Sequence, residues 1–127
     1  MTEELVTAVK QIRLQELRDA SETYFEAVVN KAELPELEKV CEALMGAPFK
    51  HAGASSGWDA SRISKPYGGI RAEQTMYLHR DPSGDTIAFL WPWGCGTKVT
   101  LKVISTAKPR AVPGARRKPF WKRIFGL

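Results

Sequence analysis

Four side chains have the chemical types needed for catalysis or metal binding: Cys41, His51, His79 and Cys95. Cys95 lies between two glycines in WPWGCGTK, and its thiolate would be a nucleophile if a histidine lay close enough to accept the proton. The spacing places neither histidine beside it. Structural zinc ligands usually come in pairs a few residues apart, whereas these four are separated by nine, twenty-seven and fifteen residues. We therefore predict no catalytic residue, no metal and no cofactor, and keep an enzyme with a Cys95 nucleophile as the third hypothesis.

The segment KHAGASSGWDASRISKPYGGIR, residues 50–71, has recurring Gly, Ser and Pro and no sustained hydrophobic period. This composition predicts a long loop, and long loops in compact domains are functional or mobile. Glycines beside a base can hold a phosphate where a strand enters the loop and a helix leaves it, but neither is predicted here. Two interpretations stay open, a contact site or a simple connection. The candidate contact residues are Trp58, Arg62, Lys65, Tyr67 and Arg71.

Charge is distributed unevenly along the 127 residues. Residues 1–40 contain nine acidic and five basic side chains, residues 41–106 five acidic and seven basic, and residues 107–127 seven basic and none acidic. The net charge of +5 therefore comes from the C-terminal tail, because the residues before it carry a net charge of −2. This pattern argues against a nucleic-acid-binding face spread over the whole domain and favours a basic arm on a nearly neutral body.

The tail ends in RRKPFWKRIFGL, residues 116–127, which combines five bases with aromatic and aliphatic side chains. Pro119 suits the first turn of a helix and Gly126 suits a helix end, so residues 118–126 are expected to form about two turns. At 100° per residue, the apolar side chains fall in one sector of roughly 160°. So short a helix forms only on contact with a surface that accepts its apolar face. An anionic membrane, or a hydrophobic groove with an acidic rim, would be such a surface.

The stretch RKPFWKRIFGL resembles the C-terminal membrane-targeting helix of the bacterial division-site ATPase MinD. Basic residues, an aromatic ring, a Lys-Arg pair, an aliphatic-Phe pair and a glycine occur in the same order. The resemblance covers eleven of the 127 residues, and the rest of the chain has no nucleotide-binding motif. It implies that the residues inserting into the membrane are Phe120, Trp121, Ile124 and Phe125. It implies that the residues contacting lipid phosphates are Arg116, Arg117, Lys118, Lys122 and Arg123. Pro119 departs from the usual pattern and would delay the helix start by one residue.

Helices are predicted in the N-terminal part of the chain. Residues 3–31 contain neither Gly nor Pro, and apolar side chains recur there every three to five positions, which is typical of an amphipathic helix. Whether this segment is one long helix or two stays open, because Asp19 and Glu22 offer a capping box that could restart it. A further helix is predicted from Pro35 to the stop at Gly46, with Cys41 on its apolar stripe.

After residue 73 the hydrophobic period changes to two. QTMYLHR (74–80), TIAFLW (86–91) and TKVTLKVIS (97–105) are predicted strands. Trp91 and Trp93 would point to the same side of an extended chain and would mark a partner surface if both are exposed. The pattern predicts an α+β fold, with two or three N-terminal helices packed on a three-stranded antiparallel sheet. We expect a globular domain over residues 1–107 and a flexible basic tail over residues 108–127.

Together these features favour binding over catalysis. The preferred hypothesis is an accessory protein that docks through its tail on an anionic membrane surface or on a hydrophobic groove of a larger protein partner. The second hypothesis is a nucleic-acid-associated protein that uses the same bases on phosphates and stacks Trp121 on a base. MTEELVTAVKQIRL lacks the basic flank and apolar run of a signal peptide, so we expect a cytoplasmic protein, peripheral at the inner face of a membrane. The oligomeric state stays open.

Overall fold

Five antiparallel strands form a single sheet in the part of the chain that the structure, a computed structural model, describes: residues 1–55 and 57–106. In chain order the elements are α1 (Thr2–Val9), β1 (Leu14–Ala20), β2 (Tyr24–Asn30), α2 (Leu34–Met45), α3 (Trp58–Ser64), β3 (Thr75–His79), β4 (Thr86–Pro92) and β5 (Lys98–Ser105). Single 3-10 turns occur at Lys31–Glu33 and Lys65–Tyr67. The strand order across the sheet is β1-β2-β5-β4-β3.

Helices α1 and α2 cover one side of the sheet, which we call the α1/α2 face. Helix α2 has Pro35 in its first turn and ends at Gly46, whose φ of 84° favours glycine. The main apolar core lies between these helices and every second residue of the central strands. It is built from Leu5, Val6, Val9, Leu37 and Cys41 of the helices and from Phe25, Ala27, Val29, Ala88, Leu90, Val99, Leu101 and Val103 of the strands.

Helix α3 covers part of the opposite side, which we call the α3 face. Ala60 of the helix belongs to a second buried cluster with Met76, Ile87, Phe89 and Ile104 of the strands. Partly buried side chains extend this cluster, among them Ile63, Tyr67 and Trp91. The central strands β4 and β5 are therefore buried on both sides, which explains the continuous burial of residues 86–90 and 99–101.

The prediction of a three-stranded sheet behind N-terminal helices is wrong, because residues 14–30 form a β-hairpin rather than helix. Two register irregularities in β1 each add one residue relative to β2. As a result, Leu14, Leu17 and Ala20 pair with Val29, Ala27 and Phe25 and share the α1/α2 face, although they lie three residues apart. Bulges thus changed a strand period of two into a period of three, which imitates a helix.

The predicted capping box also lies in a different structure. Residues 21–24 form the turn between β1 and β2, in which the Ser21 amide donates to the Tyr24 carbonyl at 2.7 Å and the Tyr24 amide donates to the Ser21 hydroxyl at 3.2 Å. Asp19, the predicted cap, lies in β1 opposite Glu26, and Ser21 stabilises the turn instead. Side-chain oxygens of Asp and Ser stabilise both helix starts and tight turns, so the motif alone did not distinguish the two.

The remaining predictions divide in two. The mixed α+β composition, helix α2 and the three strands after residue 73 are confirmed. Residues 50–71, predicted as a loop, contain helix α3, and helices lie on both faces rather than one. Helix α3 was missed because it spans only seven residues and follows Gly- and Ser-rich sequence.

Among the described helices, none is both long and apolar enough to cross a bilayer. The predicted boundary at residue 107 and the tail with its nine candidate contact residues lie outside the described residues. The edge strand β1 carries charged side chains and two bulges, both of which disfavour pairing with a strand of another chain.

Candidate interaction surface

Helix α3 is amphipathic, and its two sides have different roles. At 100° per residue, Trp58, Arg62 and Lys65 lie within about 60° of one another and point away from the sheet. On the other side lie Ala60 and Ser64, which are buried, and Ile63, which packs against the second cluster. The sheet therefore fixes α3 through one side and leaves an aromatic ring and two bases on the other.

Two large apolar side chains are exposed beside the start of α3. Trp58 is 75% exposed and Phe49 is 43% exposed. Both line a groove of about 370 Å³ between the helix and the preceding segment. The other lining residues are Lys50, His51, Ala54, Ser55, Gly57, Asp59 and Ala60. Exposed rings at a concave surface are typical of binding sites.

Arg62 lies against the exposed tryptophan. Its guanidinium carbon is 5.0 Å from the centroid of the Trp58 ring, a cation–π geometry, and its Nη2 atom is 3.8 Å from Oδ1 of Asp59. Both partners of this ion pair are more than half exposed, so its contribution to stability is small. The arrangement places a positive charge directly beside an apolar ring that faces solvent.

Buried Lys50 fixes the backbone on the other side of the groove. Its Nζ atom donates to the backbone carbonyls of Arg71, Ala72 and Gln74 at 2.8, 2.6 and 2.7 Å. The backbone of Lys50 also pairs with Met76 at the outer edge of β3. Burial lowers the pKa of the Lys50 ammonium, and the nearby Glu73 carboxylate opposes this shift. Lys50 thereby links the segment that carries Phe49 to the backbone of Arg71.

The five candidate contact residues predicted between 58 and 71 do not form one uniform group. Trp58, Arg62, Lys65 and Arg71 are exposed. Tyr67 is half-buried and packs against the second core cluster, so its ring supports α3. Gly68 follows with a φ of 103°, and a Cβ atom there would lie 3.5 Å from the Trp91 ring. We define the α3 surface as Phe49, Trp58, Arg62, Lys65 and Arg71.

Phe49 and Lys50 were not predicted as site residues. A phenylalanine after a proline gives no signal of exposure, because exposure depends on a tertiary pairing with β3. A lysine in a loop is ordinarily a solvated residue, and only the three carbonyls around Nζ identify its role here. No pattern in the local sequence contains either piece of information.

A second group of aromatic and basic residues lies on the uncovered part of the α3 face. Trp91 and Trp93 are both half-buried on this side, as their spacing predicted for an extended chain. Lys102 Nζ is 3.7 Å from the Trp91 ring centroid. Lys98 Nζ and the Arg18 guanidinium carbon are 5.1 and 5.3 Å from the Trp93 ring centroid. We call these five residues the tryptophan–cation cluster.

Arg18 of this cluster is compensated by carboxylates within the domain. Arg18 is 3.2 Å from Glu16 and 3.7 Å from Glu26, and Glu26 pairs across strands with Lys102. Trp93 Nε1 donates to the Thr100 hydroxyl at 2.8 Å. Glu26 also accepts a hydrogen bond from Tyr24, whose pKa is raised by burial and then by this carboxylate. Because both rings are half-buried and Arg18 is already ion-paired, this cluster is better explained as surface packing than as a binding site.

The two cysteines lie in different environments. Cys41 is fully buried under α2, and burial, followed by the nearby Glu38 and Glu42 carboxylates, raises its pKa to about 12. Cys95 is exposed in the β4–β5 turn, where hydrogen bonding with Thr97, at 3.0 Å between Sγ and Oγ1, lowers its pKa. Among the described residues, no histidine is one of the groups that shift the pKa of Cys95.

The histidines also lie apart from Cys95 and from one another. His79 pairs with Thr86, so the length of β4, about 20 Å for six residues, separates it from the turn that carries Cys95. His51 is exposed at the groove. Within the two described stretches, no three His, Cys, Asp or Glu side chains are close enough to hold a metal ion.

Comparisons of the chain with protein-family models, with curated proteins and with solved structures found no match. The chemistry of the exposed residues is therefore the basis for interpreting function. The α3 surface offers two exposed rings and three bases, and of the two acids near them, Asp59 and Glu73, Asp59 is paired with Arg62. Such a surface can take up an apolar group with an anionic group beside it.

Proposed function

We propose that this protein is a non-enzymatic accessory protein that docks through its basic C-terminal tail on an anionic membrane surface. The observation that carries this proposal is the segregation of charge and apolar residues. Residues 107–127 contain seven bases and no acid, together with an apolar sector in the last nine residues, whereas residues 1–106 are net acidic. Solubility alone does not require an apolar sector among the bases.

The described domain supports this division of roles. Among the described residues, two apolar clusters form a core on the two sides of the sheet. Bases near an anionic surface contribute about 1 kcal/mol each, and inserted rings add a few more before the cost of ordering is subtracted. The expected binding is therefore reversible and sensitive to salt.

Sedimentation with lipid vesicles tests the proposal. The full chain and a chain ending at Gly114 would be compared on phosphatidylcholine vesicles with and without phosphatidylserine. We expect the full chain to bind only the anionic vesicles, and truncation to abolish binding. Phe125→Ala and high salt should each weaken it, while Val112→Ala, an apolar change outside the predicted tail helix, should not.

Three outcomes would contradict the membrane proposal. Absence of binding to anionic vesicles at low salt would exclude it directly. Binding of a single-stranded oligonucleotide that depends on salt but not on Phe125 would support the nucleic-acid hypothesis. Vesicle binding that persists after truncation would exclude the tail as the anchor.

A further inference from the structure

We propose that the α3 surface is a second contact with the same anionic membrane and that it fixes which side of the domain faces the lipid. This inference rests on the proposed function, because the tail supplies the first contact. Trp58 would lie in the interfacial region with Phe49 beside it, and Arg62, Lys65 and Arg71 would face lipid phosphates.

Exposure of the aromatic rings is the first observation behind this assignment. Trp58 and Phe49 are two of the three large apolar side chains that are exposed among the described residues, and the third, Leu17, lies on the far edge strand. Tryptophan is amphipathic and favours the boundary between headgroups and acyl chains. Two exposed rings at one groove form a contact that a membrane interface can bury.

Charge gives the second observation, because the segments that cover the two faces of the sheet differ in the sign of their net charge. Helices α1 and α2 carry five acids and one base. Residues 58–73, on the opposite face, carry three bases and two acids, a net charge of +1 against −4 for the two helices. An anionic surface would therefore attract the α3 side and repel the α1/α2 side, which selects an orientation.

The point where the chain leaves the domain gives the third observation. The described chain ends at Thr106, two residues after Ile104, and Ile104 belongs to the same buried cluster as Ala60 of α3. The last described residue therefore lies within two residues of the cluster that α3 covers. Arg116, the first base of RRKPFWKRIFGL, is ten residues after Thr106, and ten extended residues span at most about 35 Å. Two linked contacts within that reach strengthen each other through effective concentration.

The backbone under the surface is fixed in advance. Lys50 joins Phe49 to β3 and its ammonium group holds the carbonyls of residues 71, 72 and 74. Helix α3 is held by its buried side. A surface that is already ordered loses less conformational entropy on binding than a disordered loop would.

Vesicle partitioning of the full chain tests the inference. Trp58→Ala should weaken binding to phosphatidylserine-containing vesicles about five- to tenfold, because the variant lacks the Trp58 ring, which we expect to become half-buried in the membrane interface. Phe49→Ala should weaken it less. Leu17→Ala is the matched control, because Leu17 has the same 43% exposure as Phe49 and lies on the other side of the sheet. It should leave partitioning unchanged.

The outcomes separate this inference from the proposed function. Tail-dependent binding of the full chain that Trp58→Ala and Phe49→Ala leave unchanged would overturn the second contact and leave the tail anchor standing. Absence of any vesicle binding by the full chain would overturn both. If Trp58→Ala weakened binding of a single-stranded oligonucleotide and not of vesicles, the surface would belong to a nucleic-acid site and the inference would be wrong. Unfolding midpoints of the variants verify that each remains folded.

Discussion

The α3 surface and the tryptophan–cation cluster lie on the same face of one sheet and use the same side-chain types. In the first, Trp58 is 75% exposed and Arg62 beside it has only one weak ion pair. In the second, Trp91 and Trp93 are half-buried, Arg18 is ion-paired with Glu16 and Glu26, and Lys102 lies opposite Glu26 on the neighbouring strand. Aromatic rings beside cations therefore do not identify a binding site until exposure and charge compensation are known.

The two groups of residues differ because strands carry the tryptophan–cation cluster and a helix carries most of the α3 surface. Neighbouring strands place complementary charges about 5 Å apart, so a cation on a sheet readily finds an acid across the ladder. A single short helix on a sheet has no such neighbour on its outer side. The outer residues of α3 consequently face solvent, and their ring and charges are free to contact a partner surface.

The largest expected effect concerns the backbone beneath the α3 surface. Lys50→Met should lower the free energy of unfolding by about 2–4 kcal/mol, because three carbonyls would lose a charged donor inside the fold. Urea denaturation measures this loss. Lys39→Met is the matched control: Lys39 is 75% exposed on α2, and its replacement should change stability by less than about 0.5 kcal/mol. Equal effects of the two variants would show that Lys50 does not support the surface.

The next effect separates the two tryptophan environments. Trp93→Ala should lower the free energy of unfolding by about 2 kcal/mol, because it removes a half-buried ring and the bond to Thr100. Trp58→Ala should change it by less than about 0.5 kcal/mol, because the ring is mostly in solvent. Vesicle binding should show the opposite order, with Trp58→Ala weakening it more than Trp93→Ala. A large stability loss in Trp58→Ala would mean that its ring packs in the fold, and the comparison would fail.

The smallest effect concerns the cations. Lys102→Met removes a charge 3.7 Å from the Trp91 ring centroid and should cost about 0.5–1 kcal/mol of stability. Arg62→Met removes the same charge beside exposed Trp58 and should cost less than about 0.5 kcal/mol. Denaturation of both variants at low and high salt provides the measurement. Equal losses of stability in the two variants would contradict the distinction between the tryptophan–cation cluster and the α3 surface.

Sequence alone specified the C-terminal half of the domain better than the N-terminal half. Strands β3, β4 and β5 have regular alternation and are bounded by turn residues, so their existence was predicted. Strand β1 has two bulges, and their extra residues are visible only in the pairing with β2. Leu14, Leu17 and Ala20 therefore had helical spacing in a strand.

The candidate surface was only half predictable for a similar reason. Trp58, Arg62 and Lys65 were identified as contact residues by type, although the helix that displays them was not predicted. Phe49 joins them because Lys50 pairs with β3, a contact across more than twenty residues of sequence. Trp93 contacts the guanidinium of Arg18, which is equally remote along the chain. Local patterns do not encode such pairings.

Amide hydrogen exchange of the full chain, with and without anionic vesicles, tests the central claim most directly. We predict slower exchange in residues 107–127 and in residues 46–71 on addition of phosphatidylserine-containing vesicles, with residues 14–30 and 91–102 unchanged. Phosphatidylcholine vesicles should have no effect on any segment. Slower exchange at residues 91–102 without a change at residues 46–71 would contradict the account, because the lipid would then contact the tryptophan–cation cluster instead of the α3 surface.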